Sequence, residues 1–241
     1  MTSLDHKQTF LSVCHAHQIL QFGSFKVKSG RISPYFFNAG SFNTSSLLSS
    51  LGTAYAQAIA DACTTPTTTT NSPDGSPLEF DVIFGPAYKG IPLCAITAIK
   101  LADLDPSKFG SKEWCFNRKE IKDHGEGGML VGASSLQGKR VLVIDDVITD
   151  GAAKREAVEI IRACGGVLAG IVVAVDRQET TGKEENGRLS ALGVFRKEYQ
   201  VPMLAIVTLK DIIEYSKARL SEEELQAMKA YQEKYGSDEA L

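Results

Sequence analysis

The succession of apolar runs along the chain predicts an α/β protein, a single domain over 1–241 with a central, mostly parallel sheet flanked by helices and a small N-terminal hood. Two observations carry this. FDVIFG (80–85), EWCFNRK (113–119), KRVLVIDDV (139–147), VLAGIVVAVDR (167–177) and VPMLAIVT (201–208) are short runs separated by stretches long enough to hold helices. The richest of them are near-continuous in Val, Ile and Leu, the pattern of strands buried on both faces, and such strands pair in parallel beneath helices. With 241 residues, 43% of them apolar, the chain can bury one core of this kind.

Residues 5–20 open the chain with an amphipathic helix whose apolar positions include Phe10, Leu11, Val13, Cys14 and Ile19. FGSFKVKSGRISPYFFNAG (22–40) alternates at Phe25, Val27 and again at Tyr35, Phe37, which predicts a hairpin outside the main sheet; about residues 1–40 form the hood. Asn43 or Thr44 can cap a second helix reaching about Cys63. TTPTTTTNSPDGSP (64–77), with three prolines and six threonines, has no periodicity and reads as a flexible insert. Strand and helix then alternate to residue 208, and Ser221 with Glu224 makes a capping box for a last, polar helix.

The net charge of −3 argues against a general nucleic-acid binder, so an anionic ligand must meet a local basic cluster. No apolar run approaches a membrane span, and the polar start MTSLDHKQTF is not that of a secretory signal. The five cysteines are scattered without a CxxC pair, as expected of idle thiols in a reducing cytoplasm. His15 and His17 are two apart, so a helix points them to different faces and away from a shared metal.

The chemistry concentrates in VLVIDDVITDGAAKREAVEII (141–161), where a buried strand ends in Asp145 and Asp146 and a tight turn opens a helix. Ligands of open α/β sheets bind beyond the carboxyl ends of the strands, and a helix N-terminus offers unpaired N–H groups to a phosphate. Thr149 can add a hydroxyl, and Gly151 lets backbone approach the anion. Two carboxylates would repel a bare phosphate. They suit a ligand that also carries hydroxyls or a magnesium ion, as a sugar phosphate with a free diol does. The plainer reading is a strand-to-helix turn whose acids cap the helix, which one Asp at the cap would achieve.

Apolar strand, Asp-Asp, two apolar residues and Thr-x-Gly together resemble the PRPP signature of type I phosphoribosyltransferases. The resemblance implies that the loop Val147, Ile148, Thr149, Asp150, Gly151, Ala152 and Ala153 holds the 5-phosphate while Asp145 and Asp146 face the ribose hydroxyls. Many members carry a hydroxyl residue where this chain has Ala152, which leaves backbone amides for that task. FNRKEIKDHGEGGMLVG puts Arg118, Lys119, Lys122 and His124 ahead of Gly125, Gly127 and Gly128, the composition of a mobile lid over an anion. It resembles the catalytic loop of orotate phosphoribosyltransferases. That implies contact of all four cations with pyrophosphate, Lys122 and His124 among the catalytic groups with the acid pair, and a homodimer in which the 118–130 lid acts in trans.

The same resemblance assigns Lys28, Tyr88 and Lys89 to PRPP, and Phe36, Phe37, Thr149 and Arg177 to orotate. Arg177 would pair with the orotate carboxylate through its planar fork. An aromatic pair is otherwise core, and an arginine otherwise a surface ion pair. The implied cofactor is Mg2+, held mainly through PRPP, and the implied setting is cytoplasmic, with no nucleic acid or membrane as partner. Rival readings are a purine or uracil phosphoribosyltransferase and a non-catalytic PRPP-binding regulator.

Overall fold

The computed structural model describes residues 3–64, 75–122, 128–133, 135–148, 151–183 and 187–238. In chain order its strands are β1 (Leu20–Lys26), β2 (Ile32–Phe37), β3 (Val82–Gly85), β4 (Glu113–Lys122), β5 (Gly128–Gly132), β6 (Arg140–Val147), β7 (Val167–Asp176) and β8 (Met203–Thr208). The helices are α1 (Ser3–Ala16), α2 (Ser45–Thr64), α3 (Gly90–Leu104), α4 (Pro106–Phe109), α5 (Ala152–Ala163), α6 (Ala191–Tyr199), α7 (Leu209–Ser216) and α8 (Glu222–Tyr235).

The six-stranded sheet runs β5-β4-β3-β6-β7-β8, and β1 with β2 forms the separate antiparallel hairpin expected of the hood. All pairings in the large sheet are parallel except β4 with β5. The central strands are buried along most of their length, as their apolar runs require: Val141, Leu142, Val143 and Ile144 of β6 have no exposed surface. One face of the sheet packs with α1, α2, α3 and α7 around Leu51, Tyr55, Ile59 and Ile212. The other packs α5 and α6 through Val158, Ile161 and Phe195. No helix among the described residues is long and apolar enough to cross a membrane.

Three expectations change. The first helix stops at Ala16, and Ile19 and Leu20 instead turn into β1 after Gln18, whose φ is 55°. The 118–130 segment expected as a lid is flanked by strand at both ends. Arg118, Lys119 and Lys122 extend β4, and Met129, Leu130 and Val131 pair back on it as β5, with Phe116 opposite Val131 and Asn117 opposite Leu130. Gly128, one of the glycines that suggested mobility, and Gly132 both hold positive φ, which allows this return. Finally, α7 follows β8 directly, with Thr208 as its cap, where Thr208 and Asp211 bond each other reciprocally. Thr44 caps α2 through the Leu47 N–H, and the Ser221–Glu224 box forms as expected. Residues 65–74, the heart of the expected insert, lie outside the described residues.

Candidate active site

The parallel strands end together along one edge, so Gly85, Asp145 and Asp176 and the following turns lie side by side. Close packing shapes the first of these turns. A Cβ on Gly85 would stand 2.2 Å from the Gly90 carbonyl oxygen, so only glycine brings the start of α3 this near to β3. The turn between them is pinned by buried Asn117 of β4, whose Oδ1 accepts the Ala87 N–H at 2.8 Å. Tyr88 and Lys89 are thereby presented outward, Tyr88 at 73% exposure.

Both acids expected at the end of β6 are nearly buried and are held in the same way. Asp145 Oδ1 accepts the Asp146 N–H at 2.8 Å, and Asp146 Oδ1 accepts the Val147 N–H at 2.8 Å. The second oxygen of each takes a lysine: Lys154 Nζ is 2.5 Å from Asp145 Oδ2, and Lys89 Nζ is 3.2 Å from Asp146 Oδ2. The buried Tyr55 hydroxyl of α2 donates to the Asp145 carbonyl at 2.8 Å and fixes the strand end from behind. Burial pushes the Asp145 carboxyl above its ordinary value and Asp146 adds to this, while Lys154 opposes both by charge and hydrogen bond. Gly151 then caps α5 in the left-handed region at φ 76°, and the exposed Ala152 and Ala153 begin the helix.

A cavity of about 530 Å³ lies between the hood and this edge. Its lining joins Lys28, Phe36 and Phe37 of the hood to Val147, Ile148 and Arg177 of the sheet edge. Phe36 stacks on Phe25 at 5.6 Å and Phe37 packs against Phe10 and Phe42 at 6.4 Å, so the aromatic pair serves packing and lining at once. Arg177 is no surface ion pair: its side chain is 18% exposed. Its guanidinium donates to Glu179 at 2.7 Å and to the Ser33 hydroxyl at 3.2 Å, and stands 4.6 Å over the Tyr35 ring. Burial works against its charge, yet Tyr35 and Glu179 hold its pKa above the usual arginine value.

Sequence reasoning missed the supports behind these groups. Glu179 also takes Arg31 at 3.4 Å, and Arg31 in turn stacks over Tyr235 of α8 at 4.7 Å. The end of α8 is stitched to the same segment, since Thr180 N–H donates to Tyr235 O and Ser237 N–H to Gln178 O, each at 2.8 Å. The last helix, given no role from sequence, therefore backs the arginine end of the cavity. Its only forewarning was the DRQE run, which put an acid two residues from Arg177.

Lys119 does not reach the cavity; its ammonium lies 3.4 Å from Glu156 on α5. Arg118 sits beside it on β4. His124, Thr149, Asp150 and the Lys122 side chain lie outside the described residues. All five cysteines are free, and among the described residues no cluster of His, Cys, Asp or Glu is poised for a metal ion.

Residues 55–201 match the phosphoribosyl transferase domain family. The chain is 48% identical over 234 residues to the orotate phosphoribosyltransferase of Metarhizium anisopliae, covering 95% of each chain. It is 49% identical to that of Yarrowia lipolytica, covering 97% of this chain and 99% of the relative. Among solved structures, orotate phosphoribosyltransferase from Francisella tularensis superposes with a TM-score of 0.79 at 37% identity, over 95% of this chain and all of that one.

Proposed function

The chain belongs to the phosphoribosyl transferase family, as an orotate phosphoribosyltransferase of pyrimidine biosynthesis, and from that premise we propose how its residues carry out the transfer. The observation that carries the proposal is a cavity that joins the hood's Phe36 and Phe37 and the half-buried Arg177 to Val147 and Ile148, the residues that follow the acid pair in sequence. Orotate is planar and carries one carboxylate. A slot floored by Phe36 and Phe37 and ended by a guanidinium suits that shape and charge. The PRPP ribose then lies over Asp145 and Asp146 with its 5-phosphate at the start of α5, where the helix N-terminus favours an anion.

The bond from C1 of the ribose to pyrophosphate breaks with its electron pair on the leaving oxygen, while a ring N–H of orotate gives up its proton to water and that nitrogen bonds to C1. Positive charge builds at the ribose and negative charge on pyrophosphate. Asp145 and Asp146 hold the diol and lie near the first; Lys28 and Lys89 offset the second from the same subunit, and Arg118, Lys119 and Lys122 do so from the lid of the partner subunit. His124 hydrogen-bonds or protonates the pyrophosphate. Tyr88 and Lys89 are well placed to move, because the loop that bears them is fixed at Ala87 while their side chains stand in solvent. Lys89 can leave Asp146 for pyrophosphate when PRPP arrives, which frees the carboxylate for a ribose hydroxyl.

Both acids already engage lysines, which fits an ion carried in on the substrate's oxygens. Mg2+ brought in with PRPP would add to the charge stabilisation of the leaving group. Orotate turnover therefore stops when a chelator removes free divalent ions and returns with Mg2+.

The protein works as a homodimer in the cytoplasm, with Lys122 and His124 closing over the partner's PRPP. Mixing two impaired variants, Lys122→Ala and Asp146→Asn, tests this. Random reassortment leaves one intact site in each hybrid dimer, so activity recovers to about a quarter of wild type if the lid acts in trans. Failure to recover, with hybrid dimers shown to form, places the lid over its own subunit.

A further inference from the structure

Lys154 has no part in the proposal above, and its position is an expensive one. It is the third residue of α5, at the positive end of the helix dipole, where a cation is disfavoured. It is also 7% exposed, and a buried ammonium is costly unless paired. The pairing is close: Nζ lies 2.5 Å from Asp145 Oδ2 and donates to the Val147 carbonyl at 2.7 Å. The matching lysine on the second acid differs in one respect. Lys89 has 74% of its side chain exposed and can swing away, whereas Lys154 has 8% and cannot.

We propose that Lys154 is a positioning residue of the sugar-phosphate site, acting through the Asp145 carboxylate. The inference rests on the assignment of Asp145 to the ribose diol. An acid that must accept hydroxyl protons has to stay ionised in a buried place. Among the described residues the groups that face it are Lys154 from α5, Asp146 from its own strand, the Tyr55 hydroxyl from α2 on its carbonyl, and Lys89 one carboxylate away. Burial raises the carboxyl, the Lys154 charge and hydrogen bond lower it, and Asp146 raises it again. Without Lys154 the carboxyl rises further, so acid protonates it sooner and removes an acceptor from the diol. Lys154 also joins the first turn of α5 to the end of β6, which fixes the ammonium against Asp145 instead of leaving it to follow solvent.

A merely structural ion pair makes a different prediction: removal of one partner destabilises the fold, and PRPP affinity of the folded protein does not then follow the protonation of one acid. PRPP affinity measured by calorimetry at about pH 6 and about pH 8.5 separates the two. Relative to wild type, Lys154→Met weakens PRPP by about tenfold or more at the lower pH and by much less at the higher, tenfold being one pKa unit. Lys154→Arg keeps the charge and stays near wild type at both. An equal loss at both values, or no loss, overturns the proposal. If Lys154→Met fails to fold, Asp145→Asn and Asp145→Asn/Lys154→Met are compared instead. Equal PRPP affinities support action through Asp145, and a further tenfold loss in the double variant overturns it. Wild-type protein that binds PRPP but leaves orotate untouched removes the acceptor assignment and leaves this test standing; protein that binds no PRPP ends both.

Discussion

Arg177→Ala lowers kcat/KM for orotate by about a hundredfold or more, as expected when one partner of a desolvated charge pair is removed at a cost of roughly 2–5 kcal/mol. The loss falls on the acceptor: KM for PRPP stays within about twofold, because the acid pair and the start of α5 are untouched. Arg177→Lys recovers only part, since a point charge cannot match a carboxylate with two parallel bonds. The site already contains a stand-in for the substrate's carboxylate. Glu179 holds the Arg177 guanidinium at 2.7 Å and Arg31 at 3.4 Å, so the arginine is aimed before orotate arrives. Steady-state kinetics with each substrate varied in turn check this; equal losses for PRPP and orotate would assign Arg177 to support of the whole cavity and not to the acceptor.

Lys122→Ala lowers kcat by roughly a hundred- to ten-thousandfold, the range for a group that meets charge or a proton developing only in the transition state. Orotate binding, read by equilibrium titration, changes little, because the lid touches the leaving group and not the acceptor slot. A variant with wild-type turnover would remove the lid from the mechanism. The two variants thus dissect the reaction from opposite ends, one losing recognition and the other losing rate.

Much of the fold was legible because its signals are local. The near-continuous runs of β6, β7 and β8 marked a sheet buried on both faces, and the Ser221–Glu224 box marked α8 by side-chain chemistry alone. The functional face was legible for a related reason: Asp145, Asp146 and Gly151 lie within seven residues of one another on one strand-turn-helix unit. What stayed hidden depends on distant partners. Asn117 reads as an ordinary strand residue until its side chain is seen to hold Ala87, 30 positions away. The Arg31–Glu179 pair spans 148 positions and joins hood to sheet edge. The β5 return was hidden by its composition, since glycines at both ends of MLV imitate a mobile loop where they allow a tight antiparallel pairing. Lys154 was invisible as a site residue because a lysine two residues before a glutamate on an amphipathic helix looks like solvated surface, and only the fold turns it under Asp145.

We infer that the cavity of Phe36, Phe37 and Arg177 receives orotate beside a PRPP bound at the end of β6. Its most direct measurement is ultraviolet absorbance of orotate incubated with the protein, PRPP and Mg2+, set against omission of each component and against uracil and hypoxanthine as acceptors. Loss of the orotate signal is expected only when PRPP, Mg2+ and protein are all present, with no comparable consumption of the two bases that lack a carboxylate. Untouched orotate, or uracil consumed as readily, would contradict it.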